Sequence, residues 1–584
     1  MCRIHFRSCI LSLALVGSLA AQTTLHVAPT GNFAGPGTPA SPFDSIQSAI
    51  VAAQPGATVL VQPGTYPENI DFLGKAIQVR SSAGAAVTTI DGMGGFPCVR
   101  FVSGEGPASV IRGFRLSFGS AIDGGGVLCV QSSPTIEDCD LIDNVAMNDG
   151  GGLHAFGGSP TMRRCRIAGN TSGTRGGGLS VVANGNLRLE DCVIAQNSCS
   201  GVGGGLAAEF AQATLTRCLL VANDATNEGG GLLANGGTVT LNDSEIRSNL
   251  ATLGGGLAAT SATLIASNCG VFDNSSTTSG GGLSVSFSTA DLEHCAFSGN
   301  DTGGFGGGVV SSSSMITITG CVVRDNSAGS AGGGITVGAA PNPVLSASIV
   351  WANLPDGLHA LAGVGGGFNV DHSDLQNSFP GPGNIVADPM HQDPVARDFR
   401  LAVGSPCIDA GPSSWPTATR VDFEGNPRVF GAASDIGLDE RVPELGGSGE
   451  DLLMRSRVNG QGIGVTTHPA LPGDQAAVEL STPLGTFSGR SPILIGQVFP
   501  AGSPPIGPPG FPEVQVGIPG ATLVFDGSTA SVFGPVVLQP SPLVLQFMVS
   551  PGVAGMVGRL QLIVSSTASA NGIFATSRAH DFVF

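Results

Sequence analysis

Lysine is almost absent from this 584-residue chain, with Lys75 the only one. Tyr66 is the only tyrosine, Trp351 and Trp415 are the only tryptophans, and charged residues make up 12%. The few bases leave 25 Lys and Arg against 43 Asp and Glu, a formal charge of −18. An acidic surface without a basic run repels phosphate backbones, so nucleic acid is excluded as a partner and polyanionic glycans are disfavoured. The missing Trp and Tyr exclude the aromatic girdles of a membrane barrel. They also weaken an aromatic sugar platform, although 28 Phe remain. Beyond the first twenty residues no apolar run is long enough to span a bilayer, so the mature chain is read as having no transmembrane segment.

Those first residues, MCRIHFRSCILSLALVGSLAAQ, place Arg3 and Arg7 before an apolar run from Cys9 to Val16 and small residues at Ser18 and Ala20. This is the layout of a secretory signal cleaved after Ala20, and it places the mature protein outside the cell or on its surface.

What the chain has in abundance is glycine, 90 residues of it, and the glycine is periodic. Triplets begin at Gly124, Gly150, Gly176, Gly203, Gly229, Gly254, Gly280, Gly306 and Gly332, at steps of 25 to 27 residues. Asn144, Asn170, Asn197, Asn223, Asn249, Asn274, Asn300, Asn326 and Asn353 keep the same beat. Five residues before each Asn stands Cys139, Cys165, Cys192, Cys218, Ser244, Cys269, Cys295, Cys321 or Ser348. Units this short, rich in β-branched residues and lacking a 3.6-residue period, cannot bury an apolar face alone and must stack as a solenoid of β-coils.

Register follows from the same columns. Apolar residues recur three before the Cys (Ile136, Met162, Leu189, Leu215) and two after it (Leu141, Ile167, Ile194, Leu220). Each Cys then points inward at the start of a strand, and the two residues before it turn a corner outside. There Asp138, Arg164, Asp191, Arg217 and Asp243 alternate in sign, as do Glu137, Arg163 and Glu190, about 4.8 Å apart in a parallel stack. The Asn side chains are expected to form a buried ladder, each accepting from one coil and donating to another. The thiols meet an oxidising compartment, but parallel Cys side chains one strand apart do not reach disulfide geometry without strain. Buried free thiols are therefore expected, and the eleven cysteines left after Ala20 leave at least one unpaired.

The unit CLLVANDATNEGGGL, Cys218 to Leu232, resembles right-handed parallel β-helix proteins of the pectate-lyase-like superfamily, and especially the FxxN and GGAI repeats of polymorphic outer membrane proteins. The segment from Leu25 to Ile70 resembles the entry of such helices, with a short capping helix near Pro42 to Ala53. SPCIDAG from Ser405, VDFEGNPRV and SDIGLDE resemble the closing region of choice-of-anchor Q surface proteins. The resemblance implies an all-β fold: a right-handed parallel β-helix over 21–440, after a signal over 1–20. Beyond Val442, alternating runs such as AAVELSTPLG, SPILIGQVF and LQLIVSS between Gly and Pro turns read as a small C-terminal β-sandwich over 441–584.

Enzymes that this fold resembles carry catalytic carboxylates, Arg or Lys along one sheet. Here the outward positions after the triplets are Leu128, His154, Ser180, Ala207, Leu233, Ala258, Ser284, Val310 and Thr336. That row holds one group that titrates near neutrality, His154, and cannot supply the paired carboxylates of glycoside hydrolysis. Asp123, Asp149, Arg175 and Glu228 precede triplets and Glu209 lies further along a strand. Asp149, His154, Arg175 and Glu228 are the candidate catalytic residues, read more readily as solvated corner charges and a surface histidine. Asp371, His372 and Asp374, with Asp409, Asp422, Asp435, Asp439 and Glu440, are read as capping groups; Asp371, Asp374, Asp409 and Asp435 are the candidate Ca²⁺ ligands, and no other cofactor is expected.

Two functions follow. The first is a non-catalytic secreted or cell-surface scaffold for adhesion, display or coat structure, its partner a surface glycan or protein. The second is a polysaccharide lyase, hydrolase or glycan-binding protein on the same fold.

Overall fold

The computed structural model describes residues 24–338, 342–361, 367–413, 422 and 433–440, followed by the backbone of strands between Leu453 and Val583. The expected signal, residues 1–20, lies outside the described residues. Two units organise the chain: the coils through Asn377, and a second unit formed by Ser346–Ile349, Asp371–Asp374 and everything from Ser378.

The first unit is a right-handed parallel β-solenoid, and each coil from Ser120 to Ala328 contributes one strand to each of four sheets. Strands after the triplets, from Ile70–Asp71 through Leu153–Phe156 and Leu179–Val182 to Leu358–Ala360, form a 12-stranded parallel sheet. Strands ahead of the cysteines run from Thr24–Val27 to Met315–Thr319, and strands behind them from Gly64–Pro67 to Val322–Arg324. Short strands after each Asn, from Ser120–Ala121 to Ser327–Ala328, form a nine-stranded sheet. Leu153 faces Leu179 and Ile167 faces Ile194 in adjacent coils, as the sequence columns require. The inner columns Ile136, Met162, Leu189, Leu215 and Leu141, Ile167, Ile194, Leu220 are all buried. Each such Leu or Ile contributes about 1.5–3 kcal/mol by leaving water.

Among the left-handed residues of each coil, two turn the corners beside the Cys and the Asn. One precedes the Cys (Asp138, Arg164, Asp191, Arg217, φ 51–54°) and one precedes the Asn (Asp143, Gln196, Ala222, φ about 55°). Outside the first corner, Asp138 binds Arg112 and Arg164 at 2.7 Å each, and Arg217 binds Asp191 at 2.7 Å. Arg163 bridges Glu190 at 2.8 Å and Glu137 at 3.5 Å. Burial alone would raise the Asp138 carboxyl, but the hydrogen bond and charge of Arg164 and the charge of Arg112 outweigh it and hold the group below its ordinary value.

Inside the second corner runs the Asn ladder. Asn197 Nδ2 donates to Asn223 Oδ1 at 2.9 Å and to the Ile167 carbonyl at 2.9 Å. Its own Oδ1 accepts from the Asn170 backbone N–H at 3.0 Å and from Asn170 Nδ2 at 2.9 Å. The pattern continues through Asn144, Asn170, Asn197, Asn223, Asn249, Asn274, Asn300, Asn326 and Asn353, all buried. At one end Gly119 occupies the Asn position, and Asn144 Oδ1 there accepts from the Gly119 N–H at 2.9 Å and faces the Cys98 thiol at 3.6 Å. At the other, Gln376 accepts from the Asn353 N–H at 2.8 Å and donates to the Asn353 carbonyl at 3.0 Å.

The cysteines from Cys98 to Cys407 are free and buried. Their thiols donate to carbonyls, as Cys139 does to Glu137 O at 3.1 Å, and burial pushes the Cys139 and Cys98 thiols up to about 12. Such thiols act as small apolar groups rather than nucleophiles.

Within the entry segment lies one short helix, Ile46–Ala52, whose two ends are clamped by opposite charges. Glu68 accepts from the Ile46 and Gln47 N–H groups at 2.8 and 3.0 Å. Lys75, the only lysine, donates to the carbonyls of Ile50, Val51 and Ala53 at 2.8, 2.7 and 3.0 Å. Both satisfy terminal backbone groups and oppose the helix dipole.

Beyond Leu453 the described strands form a three-stranded antiparallel sheet, Leu453–Val458, Gln475–Ser481 and Leu543–Met548, and a six-stranded sheet that includes Ile493–Pro500 and Met556–Ser565.

Asn223→Ala removes the acceptor of the buried Asn197 backbone N–H and of one Asn197 Nδ2 hydrogen, so the full chain should lose at least about 2 kcal/mol, measured by denaturant unfolding. For Asp138 the folded chain holds the carboxylate below its ordinary value of 3.8, so its stabilisation is present above that pH and is lost as pH falls through the folded value. Asp138→Asn should flatten that acid limb and cost no more than about 1 kcal/mol at pH 7.

Candidate functional site

The outward row of the post-triplet sheet is not an open face. Each first glycine has φ between 59° and 69° and folds the preceding segment back over the strand it opens. A Cβ on Gly203 would lie 2.8 Å from the Ala207 side chain, and one on Gly306 2.8 Å from that of Val310. A Cβ on Gly204 would lie 2.5 Å from the carbonyls of Asp224 and Gly230, so no other residue fits the triplet. In consequence Ser180, Ala207, Leu233, Ala258, Ser284 and Thr336 are buried, while Leu128 and Val310 are half-buried. His154, expected at the surface, is 5% exposed, and Asp149, expected as a solvated corner charge, is 4% exposed. The sequence showed which way these side chains point but not that the triplet's own turn covers them.

Under that cover lies a polar cluster. Asp149 and Arg175 pair as successive rungs, with Arg175 Nη2 on Asp149 Oδ2 at 2.9 Å and Nε on Oδ1 at 3.1 Å. Arg175 also pairs through Nη1 with Glu209, whose other oxygen accepts from Asn235 Nδ2 at 3.2 Å. Asp123 Oδ1 accepts from the Asp149 N–H at 3.2 Å. Donor atoms of Asp123, Asp149 and His154 lie within 4.8 Å of one another. Burial lowers the His154 imidazole below its ordinary value; Asp123 and Asp149 oppose that shift and Arg175 adds to it. The ring is therefore neutral at pH 7, and its buried Nδ1 has no hydrogen-bond partner. Ser180, next in register to His154, also has a buried hydroxyl without a partner.

Glu228 stands apart from this cluster and accepts from Thr260 Oγ1 at 3.3 Å. Of the calcium candidates, Asp374 accepts from the Ala387 N–H at 3.1 Å and from the Cys407 thiol at 3.3 Å. Asp435 accepts from the Asp409 N–H at 2.7 Å, Asp409 from the Ala433 N–H at 3.4 Å, and Asp371 from the Ser346 hydroxyl. These carboxylates satisfy local backbone and side-chain donors. Sequence reasoning passed over Asp291 and Glu293, two carboxylates on one face of Thr289–Glu293; burial and the Glu293 charge raise the Asp291 carboxyl. The i, i+2 spacing within a strand was the available signal.

A shallow groove of about 490 Å³ runs where successive coils turn from the post-triplet sheet toward the next. Thr238, Thr263, Thr289, Ser313 and the exposed Phe287 and Met315 line it, and no lining side chain is ionisable.

These features define a right-handed parallel β-helix. Residues 109–249 match the family model described as a right-handed beta helix region. The chain is similar in structure to a pectate lyase (15% identity, 73% of this chain and 98% of that one, TM-score 0.31). It is similar also to a pectin methylesterase from carrot (15%, 43% and 83%, 0.30) and to a tailspike protein of an Escherichia coli bacteriophage (9%, 96% and 68%, 0.31). No curated protein matches the sequence. These likenesses decide nothing about activity. Among the described residues, no helix is long and apolar enough to cross a membrane.

Arg175→Met leaves Asp149 and Glu209 without their cation under the triplet turn. Denaturant unfolding should show a loss of about 1–3 kcal/mol, larger than for the exposed Arg217→Met.

Proposed function

We propose that this chain is an exported, non-catalytic β-helical scaffold of the cell surface, displaying its coils and a C-terminal β-sandwich to a glycan or protein partner. The observation that carries this reading is the closure of the post-triplet row by its own glycines. A reactive row must meet substrate, and this one meets backbone instead. The groove of Ser, Thr, Phe and Met offers hydroxyls and apolar contacts but no acid, base or nucleophile of suitable strength. The acidic balance keeps such a rod soluble and directs it toward neutral or basic partners.

The rival reading, a polysaccharide lyase or hydrolase, draws on the raised Asp291 carboxyl beside Glu293, because a general acid needs such a shift. Asp291 stands on an exposed strand face, flanked in register by Ile265 and Thr317, outside the groove.

The purified chain, incubated with a panel of uronate and neutral polysaccharides, should release no new reducing ends and no unsaturated products. Turnover that Asp291→Asn abolishes would replace the scaffold by the enzyme.

A further inference from the structure

We propose that Asp123, Asp149 and His154 bind one divalent transition-metal ion, zinc by the character of the donor set, as a buried staple between successive coils. Two carboxylates and an imidazole converge to within 4.8 Å, and tetrahedral ligands around a zinc ion at about 2.0–2.2 Å stand about 3.3–3.6 Å apart, so closure draws the donor atoms together by about an ångström, within reach of side-chain rotation.

The independent sign of a missing ligand is His154. It is 5% exposed, its Nδ1 has no hydrogen-bond partner, and an imidazole nitrogen left unsatisfied in a protein interior costs free energy. The orphan hydroxyl of Ser180 beside it marks the same spot as short of a polar partner.

Charge points the same way. Asp123, Asp149 and Glu209 carry three negative charges and Arg175 one positive, leaving two negative charges for a divalent ion to neutralise. Arg175 does not displace the ion. It binds one lone pair on each Asp149 oxygen and fixes the carboxylate, as hydrogen-bonded partners of metal ligands do. A neutral imidazole is the ligand form, and carboxylate with imidazole suits zinc or manganese better than calcium.

The site joins three parts of the solenoid: the corner before one triplet, the corner before the next, and the strand that second triplet opens. With Asp149 and His154 buried and Asp123 half-buried, an ion here holds coils together, and it agrees with a scaffold without depending on one.

The test uses the full chain stripped with EDTA and then dialysed. Calorimetric titration with Zn²⁺ should give one equivalent bound, weakened at least tenfold in Asp123→Asn and in His154→Gln. Zn²⁺ should also raise the melting temperature of the wild type and leave that of His154→Gln unmoved. Cobalt(II) should give d–d absorption without thiolate charge transfer, which separates this site from the buried cysteines. Absence of stoichiometric binding by the wild type would overturn the proposal even if a variant failed to fold. Binding that persists unchanged in both variants, or a thiolate band with cobalt, would overturn it as well. None of these outcomes bears on polysaccharide turnover.

Discussion

The hydrogen-bonded seam between one coil and the next is the constraint from which the remaining structure follows. A parallel coil cannot satisfy its strand N–H and C=O groups within itself, so every one must meet the equivalent group a coil away. Backbone alone would permit coils to slide, because a ladder of amides looks the same from rung to rung. The Asn column prevents that. Each amide group uses its acceptor on one neighbour and its donors on both, and a slip by one residue would bury four unpaired polar atoms per coil. Its two ends need other groups, and Cys98 with Gly119 at one and Gln376 at the other supply them.

The glycine triplet is the counterpart of that column. The Asn amide stands close to the third glycine, where a Cβ on Gly205 would lie 3.1 Å from Asn223 Nδ2. Ladder and triplet thus require one another, and the turn they make together covers the outer face of the following strand. The same packing that secures register buries most of that outer face.

Much of the fold was legible in the sequence because stacking turns structure into periodicity. Three columns in phase gave the coil length, the parallel pairing, the inward residues and the corner charges, down to Arg163 between Glu137 and Glu190. Burial of the polar site was not legible. Alternation says that His154 points away from the strand's inner face, and nothing in alternation says that Gly150 lies across it. Nor did spacing show that Asp149, Arg175 and Glu209, 34 residues from first to last charge of the Arg–Glu pair, would meet. That contact depends on how far the triplet folds the corner back, a three-dimensional quantity.

The scarcity of bases acquires a meaning in this light. Lys75 closes the helix in the entry segment, Arg112, Arg163, Arg164 and Arg217 pair with acids of neighbouring coils, and Arg175 sits beneath the triplet turn. These cations face the chain's own carbonyls and carboxylates, while 43 acids against 25 bases leave the formal balance of the whole chain negative. A long solenoid has sheet edges at its ends that invite further strands. Copies that all carry the same sign resist end-to-end growth at low salt, and the helix Ile46–Ala52, itself held by Glu68 and Lys75, packs beside the first strands of the solenoid. These positive charges thus serve internal register, and the negative balance opposes the pairing of one copy's edge with another's.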